Sequence, residues 1–251
     1  MALTPDMSTT PSIPKAQEQL FAAGTSAREK YAALVVGRPG WGALLRHELI
    51  VTFTQSLPGA LGLALRKALY PKLLGSCGRN VVFGQNVTLR HPHKVHIGDN
   101  VVIDDNCLVD AKGTTNAGIR IGRGVFIGRN TILSCKNGDI DLADDVNVGF
   151  NCEVFSASSV SIGKGTLLAA YTYVIGGDHD FSDPSKSILE QGRKSDGVRI
   201  GAGAWLGAGA KVLDGVSIGD DAIIGAGAVV TSSVAARSVA VGIPARVVST
   251  R

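Results

Sequence analysis

A six-residue repeat constrains the fold of this 251-residue chain more than any other feature. Aliphatic residues recur every six positions, in blocks of eighteen. A spacing of six fits a short strand followed by a corner, so that three hexads close one triangular coil. The first positions of the hexads are all Ile, Leu or Val: Ile97, Ile103, Val109; Ile121, Ile127, Leu133; Leu142, Val148, Val154; Ile162, Leu168, Val174; Ile200, Leu206, Val212; and Ile218, Ile224, Val230.

The fifth positions of the hexads form a second pattern of mostly small or β-branched residues, and both sets can face inward. Stacked coils would pair each strand with its equivalent eighteen residues away and bury an aliphatic column along each face. The sequence therefore predicts a mainly β fold, a parallel β-helix of six clear coils with a poorer coil around residues 83–96. The fifth positions are Val101, Cys107, Val125, Thr131, Val146, Cys152, Thr166, Thr172, Ala204, Ala210, Val216, Ala222, Ala228 and Val234.

The composition agrees with a repeat that turns tight corners. Glycine accounts for 32 residues and aromatic residues for only 5%, which is unusual for a packed sandwich or a helical bundle. The four cysteines lack the close paired spacing of a zinc site, and no signal peptide precedes them, so we expect reduced thiols in an intracellular protein. Cys107 and Cys152 fall on inward positions, where a small thiol acts as a hydrophobic side chain.

The repeat has one long interruption, and it begins beside a histidine. After Val174 the coil runs on to His179, and about twenty residues then pass before Ile200, where the pattern restarts. Long insertions on a rigid scaffold are usually functional. The hexad register places Asp178 at an inward position and His179 at an outward one. A histidine can remove a proton near neutral pH when a carboxylate or carbonyl fixes its tautomer, and Asp178, Asp180 and Asp183 are candidates. The alternative is that His179 is only an exposed polar residue at a loop entrance.

At this point the sequence resembles a known family. Gly-Ala-Trp205-Leu-Gly-Ala-Gly-Ala-Lys-Val-Leu, Ile-Gly-Ala-Gly-Ala-Val-Val-Thr and Val-Gly-Ile-Pro-Ala-Arg, together with the histidine at the loop, are similar to the hexapeptide-repeat acyltransferases. Residues 178–184 also resemble a loop of the polysaccharide acetyltransferases. The resemblance covers residues 77–248 and is greatest to the maltose, galactoside and exopolysaccharide O-acetyltransferases.

The resemblance implies a left-handed β-helix, a homotrimer with active sites between subunits, and acetyl-CoA as the acyl donor. It implies that His179 is the general base, and from the neighbouring residues we expect Asp178 or Asp180 to assist it and no metal to be required. The positions that it places near CoA are Ala208, Ala226, Thr231 and Arg246, to which we add Trp205 and Lys211 as candidates. It places Asn151 on the acyl-acceptor side, although the family often has Asn where this chain has Gly149, and we add Asp183 as a second candidate there. Each position also has a structural interpretation: alanines suit tight corners, Trp205 could pack at a trimer seam, and Arg246 could be a solvated terminal residue.

The N-terminal part differs from the repeat. We predict a disordered start over residues 1–16, a helical segment over 17–76, the β-helix over 77–235 with an active-site loop at 180–199, and a tail over 236–251. Residues 28–79 contain eight Lys or Arg against two Glu. The uncharged run at 49–65 is short for a membrane span and is broken by Pro58-Gly59, so we expect no transmembrane helix.

Basic residues beside apolar helical stretches suit peripheral contact with an anionic membrane through residues 41–74, and packing against the β-helix is the alternative. We therefore expect a cytoplasmic protein, with peripheral binding to the inner membrane surface as one of the two alternatives. The net charge of +4 is mild, and no nucleic-acid partner is expected.

Two other functions deserve comparison with acyl transfer. The same architecture serves a zinc hydratase resembling the γ-class carbonic anhydrases, and His91, His93 and His96 could suggest such a site. These three histidines lie within one imperfect coil, whereas a metal needs imidazoles that converge from different coils or subunits. Stoichiometric zinc bound by them would favour the hydratase. A non-catalytic trimeric scaffold is the other alternative, and the intact His179 loop argues against it.

Overall fold

Three parallel sheets wind around one axis in the computed structural model, which describes residues 24–251. The first sheet contains β1 (Ser76–Cys77), β4 (Val95–Ile97), β7 (Ile119–Ile121), β10 (Asp139–Leu142), β13 (Ser159–Ile162), β18 (Val198–Ile200) and β21 (Ser217–Ile218). The second contains β2 (Val82–Phe83), β5 (Val102–Ile103), β8 (Phe126–Ile127), β11 (Asn147–Val148), β14 (Leu167–Leu168), β19 (Trp205–Leu206), β22 (Ile223–Ile224), β24 (Ser238–Val241) and β25 (Arg246–Thr250). The third contains β3 (Thr88–Arg90), β6 (Leu108–Asp110), β9 (Ile132–Cys135), β12 (Glu153–Ser156), β15 (Tyr173–Gly176), β20 (Lys211–Val212) and β23 (Val229–Val230).

One strand of each sheet makes one coil, and the described chain completes seven coils. The hexad pattern predicts their core correctly, because every first and fifth position named above is buried. The three inward threonines satisfy their hydroxyl groups within the core: Thr131, Thr166 and Thr172 donate to the carbonyl oxygens of Gly149, Gly201 and Ala169. The mainly β parallel helix is confirmed.

The strands pair as the predicted hexad positions align, for example Ile103 with Ile127, although most coils contain more than eighteen residues. The spacing of eighteen residues holds between the sixth and seventh coils, where Arg199 pairs with Ser217. Val102 pairs with Phe126, twenty-four residues on, because residues 111–118 bulge from the corner before β7. Extra residues are absorbed at corners, which leaves the inward columns in register.

The chain does not leave the β-helix at residue 235, which corrects the predicted boundary of the tail. β24 pairs in parallel with β22 and begins an eighth coil, and β25 then folds back antiparallel on β24. The tail thus covers the C-terminal edge of the second sheet. A free edge strand is a site of unwanted pairing, and this return strand reduces that risk.

Helices precede the first coil, as predicted for the part of residues 17–76 that the structure describes; residues 1–23 lie outside it. A Ser26–Glu29 capping box starts α1 (Ala27–Tyr31), which continues as a π-turn (Ala32–Val36) and stops at Gly37 in the left-handed region. α2 (Trp41–Thr54), α3 (Gly59–Leu69) and a 3₁₀ turn (Tyr70–Lys72) follow, and another 3₁₀ turn (Pro92–Lys94) precedes β4. Within residues 24–251, no helix is both long enough and apolar enough to span a membrane.

A buried arginine fastens these helices to the β-helix. Arg66 on α3 donates to the backbone oxygens of Thr54, Leu57 and Phe83 at 2.7–3.0 Å. Two of these carbonyls lie at the C-terminal end of α2 and in the turn after it, where a positive charge is favourable. One side chain therefore joins α2, α3 and the first coil.

Candidate functional site

The long interruption is a β-hairpin at the end of the third sheet in the fifth coil. β15 ends at Gly176, and β16 (Asp178–His179) pairs antiparallel with β17 (Arg193–Lys194). Asp178 faces Lys194 and His179 faces Arg193 in this pairing. Residues 180–192 connect the two short strands, and the chain then re-enters the first sheet at β18.

A close approach of two backbones turns the chain out of the coil. Gly177 has φ 153°, and a Cβ there would lie 2.6 Å from the Cβ of Ala157 in the preceding coil. Only glycine fits this contact. On the return side, Ser195 donates to the Gly176 carbonyl at 3.0 Å and shares a 2.7 Å hydrogen bond with Ser158. The base of the hairpin is therefore fixed to two coils.

The prediction that Asp178 points inward is wrong. Its side chain is exposed and accepts a hydrogen bond from the backbone N–H of His179 at 2.7 Å, while Gly176 and Gly177 take the buried places. The hexad register ends at Gly176, because the chain leaves the coil there. His179 is half-buried rather than fully outward.

The carboxylates predicted to orient His179 are engaged elsewhere. Asp180 accepts from the backbone N–H of Ser182 and pairs with Lys194 at 3.4 Å. The bond from Ser182 is the main cause that lowers the pKa of Asp180. Asp183 accepts from the hydroxyl and backbone N–H of Ser185, and these bonds lower its pKa as well. Both aspartates order the loop and stay charged.

The ring of His179 has a buried nitrogen without a partner. Its Nδ1 atom is inaccessible to solvent and makes no hydrogen bond within residues 24–251. An unsatisfied buried polar atom costs about 1–3 kcal/mol, and four other side-chain atoms of the described residues share this state: Nε2 of His47, Nδ1 of His91, Nδ1 of His93 and Oγ of Ser156. His179 is therefore a side chain held in place at a local cost.

The positions predicted near CoA lie together in the last coils. Ala208 and Ala226 stack at the corner between the second and third sheets, where the Gly227 N–H donates to the Ala208 carbonyl at 2.8 Å. Ala170 continues this column, since its carbonyl accepts from Gly209. The other predicted positions are all exposed: Trp205 on β19, Lys211 on β20, Thr231 after β23 and Arg246 on β25.

Within one chain, this alanine corner and His179 lie at opposite ends of the third-sheet strands. Seven residues lead from Ala170 across β15 to Gly177, which at strand geometry is about 20 Å. The structure thus gathers the predicted acyl-donor positions in one place and His179 in another.

Asn151 belongs to a column of left-handed corner residues. It has φ 54°, and its side-chain oxygen accepts from the side-chain amide of Asn130 at 3.0 Å. Asparagine tolerates this conformation well, so Asn151 has a structural explanation beside the predicted acyl-acceptor role. The same column contains Asn86, Asn106, Asn130, Asn151, Tyr171, Gly209 and Gly227.

The three histidines considered for zinc contact other groups. Nε2 of His91 lies 2.8 Å from the Ala33 carbonyl oxygen, and Nδ1 of His96 lies 3.0 Å from the Ser76 hydroxyl. Burial lowers the pKa of His93 to about 4. His91 and His93 also line a pocket of about 690 Å³ under the N-terminal helices, away from His179. No group of three or more metal-ligating side chains occurs in the described part of the chain.

Sequence reasoning missed a group of cations beside the hairpin. Lys112 and Lys136 both follow a third-sheet strand and lie on neighbouring coils, and Arg193 faces His179 across the hairpin. The two lysines could have been found from their equivalent places after β6 and β9. Arg193 could not have been found in this way, because the hexad repeat does not predict how the inserted residues pair with one another.

Comparison with known proteins agrees with the geometry. Residues 197–232 match a family model described as bacterial transferase hexapeptide (six repeats), and residues 76–111 match one described as the hexapeptide repeat of succinyl-transferase. Two segments of the chain are thus similar to hexapeptide-repeat families. The two matches fall on the sixth and seventh coils and on the first two, so repeats of this kind occur at both ends of the β-helix.

Relatives of this chain include a probable acetyltransferase. A probable acetyltransferase of Mycobacterium tuberculosis is 34% identical over 122 residues, which is 49% of this chain and 40% of that protein. Nodulation protein L of Rhizobium meliloti is 42% identical over 101 residues, 40% of this chain and 54% of that protein. The chain thus spans about half the length of the curated relatives it matches.

A solved structure shares the fold. AntD, an N-acyltransferase from Bacillus cereus in complex with dTDP and 3-hydroxybutyryl-CoA, superposes with a TM-score of 0.54. The match covers 79% of this chain and 91% of that one, at 19% sequence identity. At this identity the likeness concerns the fold.

Proposed function

We propose that this protein transfers an acyl group, acetyl in the first instance, from acyl-CoA to a hydroxyl group of a sugar, a glycan precursor or another small molecule. The observation that carries the proposal is the half-buried His179 on a hairpin fixed to two coils, at the one long break of the hexad repeat. The similarity to a probable acetyltransferase and to a CoA-bound acyltransferase supports the same chemistry.

His179 acts as the general base in this proposal. The imidazole takes the proton of the acceptor hydroxyl as its oxygen attacks the thioester carbonyl, and a tetrahedral oxyanion forms. The carbon–sulfur bond then breaks, and the CoA thiolate takes the proton from the imidazolium. The products are an ester and free CoA, with no covalent enzyme intermediate.

The alanine corner suits the acyl donor. Ala170, Ala208 and Ala226 form a smooth edge, where the narrow pantetheine chain can lie close to backbone amides. Trp205 and Lys211 flank that edge, and Thr231 and Arg246 lie beyond it; Lys211 and Arg246 could contact the phosphates of CoA. Asn151 and Asp183 remain the proposed acyl-acceptor contacts.

A homotrimer would complete the site. Because His179 and the alanine corner of one chain are separated by the third sheet, the corner of a second copy must supply the acyl donor to His179. The exposed apolar residues Phe181 and Leu189 in the hairpin loop suit burial against that copy. The unpaired Nδ1 of His179 would then find its partner within the assembled site.

The helical segment suits a membrane surface. One face of α2 packs on the protein through Leu44, His47, Ile50 and Thr54, yet the opposite face exposes Trp41, Leu45, Leu49 and Phe53. Four large apolar side chains at intervals of four form a stripe along one side of a helix. With the basic residues around it, this stripe supports the proposal of peripheral contact with an anionic membrane.

An acceptor screen tests the function. The protein is incubated with acetyl-CoA and with a panel of sugars, glycan precursors and amines, and release of free thiol is followed; 3-hydroxybutyryl-CoA replaces acetyl-CoA in a second series. We expect acceptor-dependent thiol release that falls by about 10²–10⁴-fold in His179→Ala. Lys186→Gln, which alters the same loop but neither the base nor a proposed acceptor contact, should retain far more activity. Equal activity of wild type and His179→Ala would refute the proposal.

A further inference from the structure

Two lysines lie side by side at the end of the third sheet. β6 pairs with β9 up to Asp110 and Ser134, and the register carried two residues further sets Lys112 beside Lys136. The hydrogen bond from the Asn137 N–H to the Lys112 carbonyl, 3.1 Å, shows that the two coils stay together there. Like charges directly opposite one another on neighbouring strands destabilise a sheet.

The next two coils place small residues above these lysines. The same register places Ala157 after Lys136 and Gly177 after Ala157. The hairpin starts at Gly177, and its return strand brings Arg193 back beside His179. No bulky side chain of this column therefore stands between the lysine pair and the start of the hairpin.

The cations in this cluster exceed the local negative charge. Burial, and then the positive charges of Arg193 and Lys112, lower the pKa of Lys136. The nearby carboxylate Asp110 is buried and is shared with Arg90 at 3.6 Å. Neither the Lys136 ammonium nor the Arg193 guanidinium makes a hydrogen bond or ion pair within the part of the chain that the structure describes. Two of the three cations, Lys136 and Arg193, therefore have no anionic partner in that part of the chain, whereas the charge of Asp110 acts on Lys112.

We propose that Lys112, Lys136 and Arg193 bind a phosphate group of the acyl acceptor and hold its hydroxyl toward His179. The site would thus take phosphorylated acceptors, such as a sugar phosphate or diphosphate, in preference to neutral ones. That the bound molecule is the acyl acceptor rests on the proposed function. That it carries a phosphate group rests on the positions of the three cations.

CoA also carries phosphates. The position of the cluster along the β-helix indicates that it binds a phosphate of the acceptor rather than those of CoA. The proposed acyl-donor positions lie in the sixth and seventh coils and beyond. The lysines lie in the second and third coils, on the other side of the hairpin along the axis. An acyl donor and a phosphorylated acceptor would therefore reach His179 from opposite directions.

Calorimetric titration with inorganic pyrophosphate tests the site in the intact protein, with and without saturating CoA. We expect binding that persists in the presence of CoA and weakens by about tenfold in Lys136→Gln and in Arg193→Gln. Lys164→Gln is the matched control: it removes the same charge at the corner between the first and second sheets, and it should bind within twofold of wild type.

Three results would overturn the inference: no binding by the wild type, equal weakening in all three variants, or loss of binding when CoA is present. The last would assign the cations to the acyl donor. Because the titration needs no turnover, it stands apart from the thiol-release screen. Binding without transfer would refute the proposed function, whereas transfer without binding would refute the phosphate site alone.

Discussion

Tyr171 occupies a conformation that its neighbours in the corner column fill with asparagine or glycine. Its φ is 63°, and its ring is 66% exposed. The left-handed region costs a bulky L-residue about 1–2 kcal/mol, and the exposed ring recovers little of that through packing. The aromatic side chain is retained next to Ala170, the first residue of the alanine corner. Strain at such a place suggests that the ring contacts a ligand or a second copy.

We expect Tyr171→Asn to raise the free energy of unfolding by about 1 kcal/mol, because asparagine tolerates the left-handed region. Urea denaturation at one fixed protein concentration measures the change. Tyr171→Ala is the control, since it removes the ring but keeps an unfavourable residue at this φ. A gain no larger in the asparagine variant than in the alanine variant would show that backbone strain is absent.

Single residues mark where sequence reasoning succeeded and where it ended. The burial of Cys107 and Cys152 followed from the hexad period alone. The orientation of Asp178 did not follow from it, because the hexad register ends at Gly176 and Gly177 then turns the chain outward. The hydrogen bonds of Asp180 and Asp183 depend on loop geometry, and no periodic pattern encodes it.

Among the secondary structure elements, α2 is unusual in being apolar on two faces. Its inner face closes the first coil through Ile50, and Arg66 holds its C-terminal end. The outer stripe of Trp41, Leu45, Leu49 and Phe53 is exposed, and only Trp41 has a ring contact within the described chain, with the Arg28 guanidinium at 4.5 Å. The sequence predicted a helical region and a membrane contact here, but it could not separate the inner face from the outer one, since both are apolar.

We expect the protein to float with vesicles of phosphatidylglycerol and phosphatidylcholine, and the double variant Leu45→Ser, Leu49→Ser to float much less. Burying a leucine side chain contributes about 1.5–3 kcal/mol, so each substitution should weaken partitioning by at least tenfold. Val248→Ser removes an exposed aliphatic side chain from β25 and should leave flotation unchanged. Equal flotation of the double variant and wild type would contradict the membrane contact and indicate that the stripe contacts another protein.

The strands show how far the repeat specifies the fold. Each inward column was predictable, because a position that is aliphatic in every coil has to face the core. The number of residues per coil was not, since corners accept insertions without disturbing the columns. The eighth-coil strand β24 was missed for a related reason: β22 and β24 pair at a spacing of sixteen residues, as Ile223 does with Val239.

Over the whole molecule, the β-helix separates the two halves of the proposed site, and we therefore propose that the site assembles between copies. His179 leaves one end of the third sheet, while Ala208 and Ala226 lie at the other end. The sequence identified both groups of residues, but only the coil geometry shows that they lie apart within one chain. A closed ring of copies would bring the corner of each chain to the hairpin of the next.

Subunit complementation tests this account most directly. His179→Ala removes the base, and Ala208→Trp blocks the alanine corner, so each variant alone should be inactive in the thiol-release assay. When the two are co-expressed with different tags and isolated as mixed trimers, assembly should restore roughly a third of the wild-type activity, because each mixed trimer pairs one intact His179 with one intact corner among its three sites. Mixed oligomers no more active than the separate variants would contradict a site shared between copies with His179 as its base.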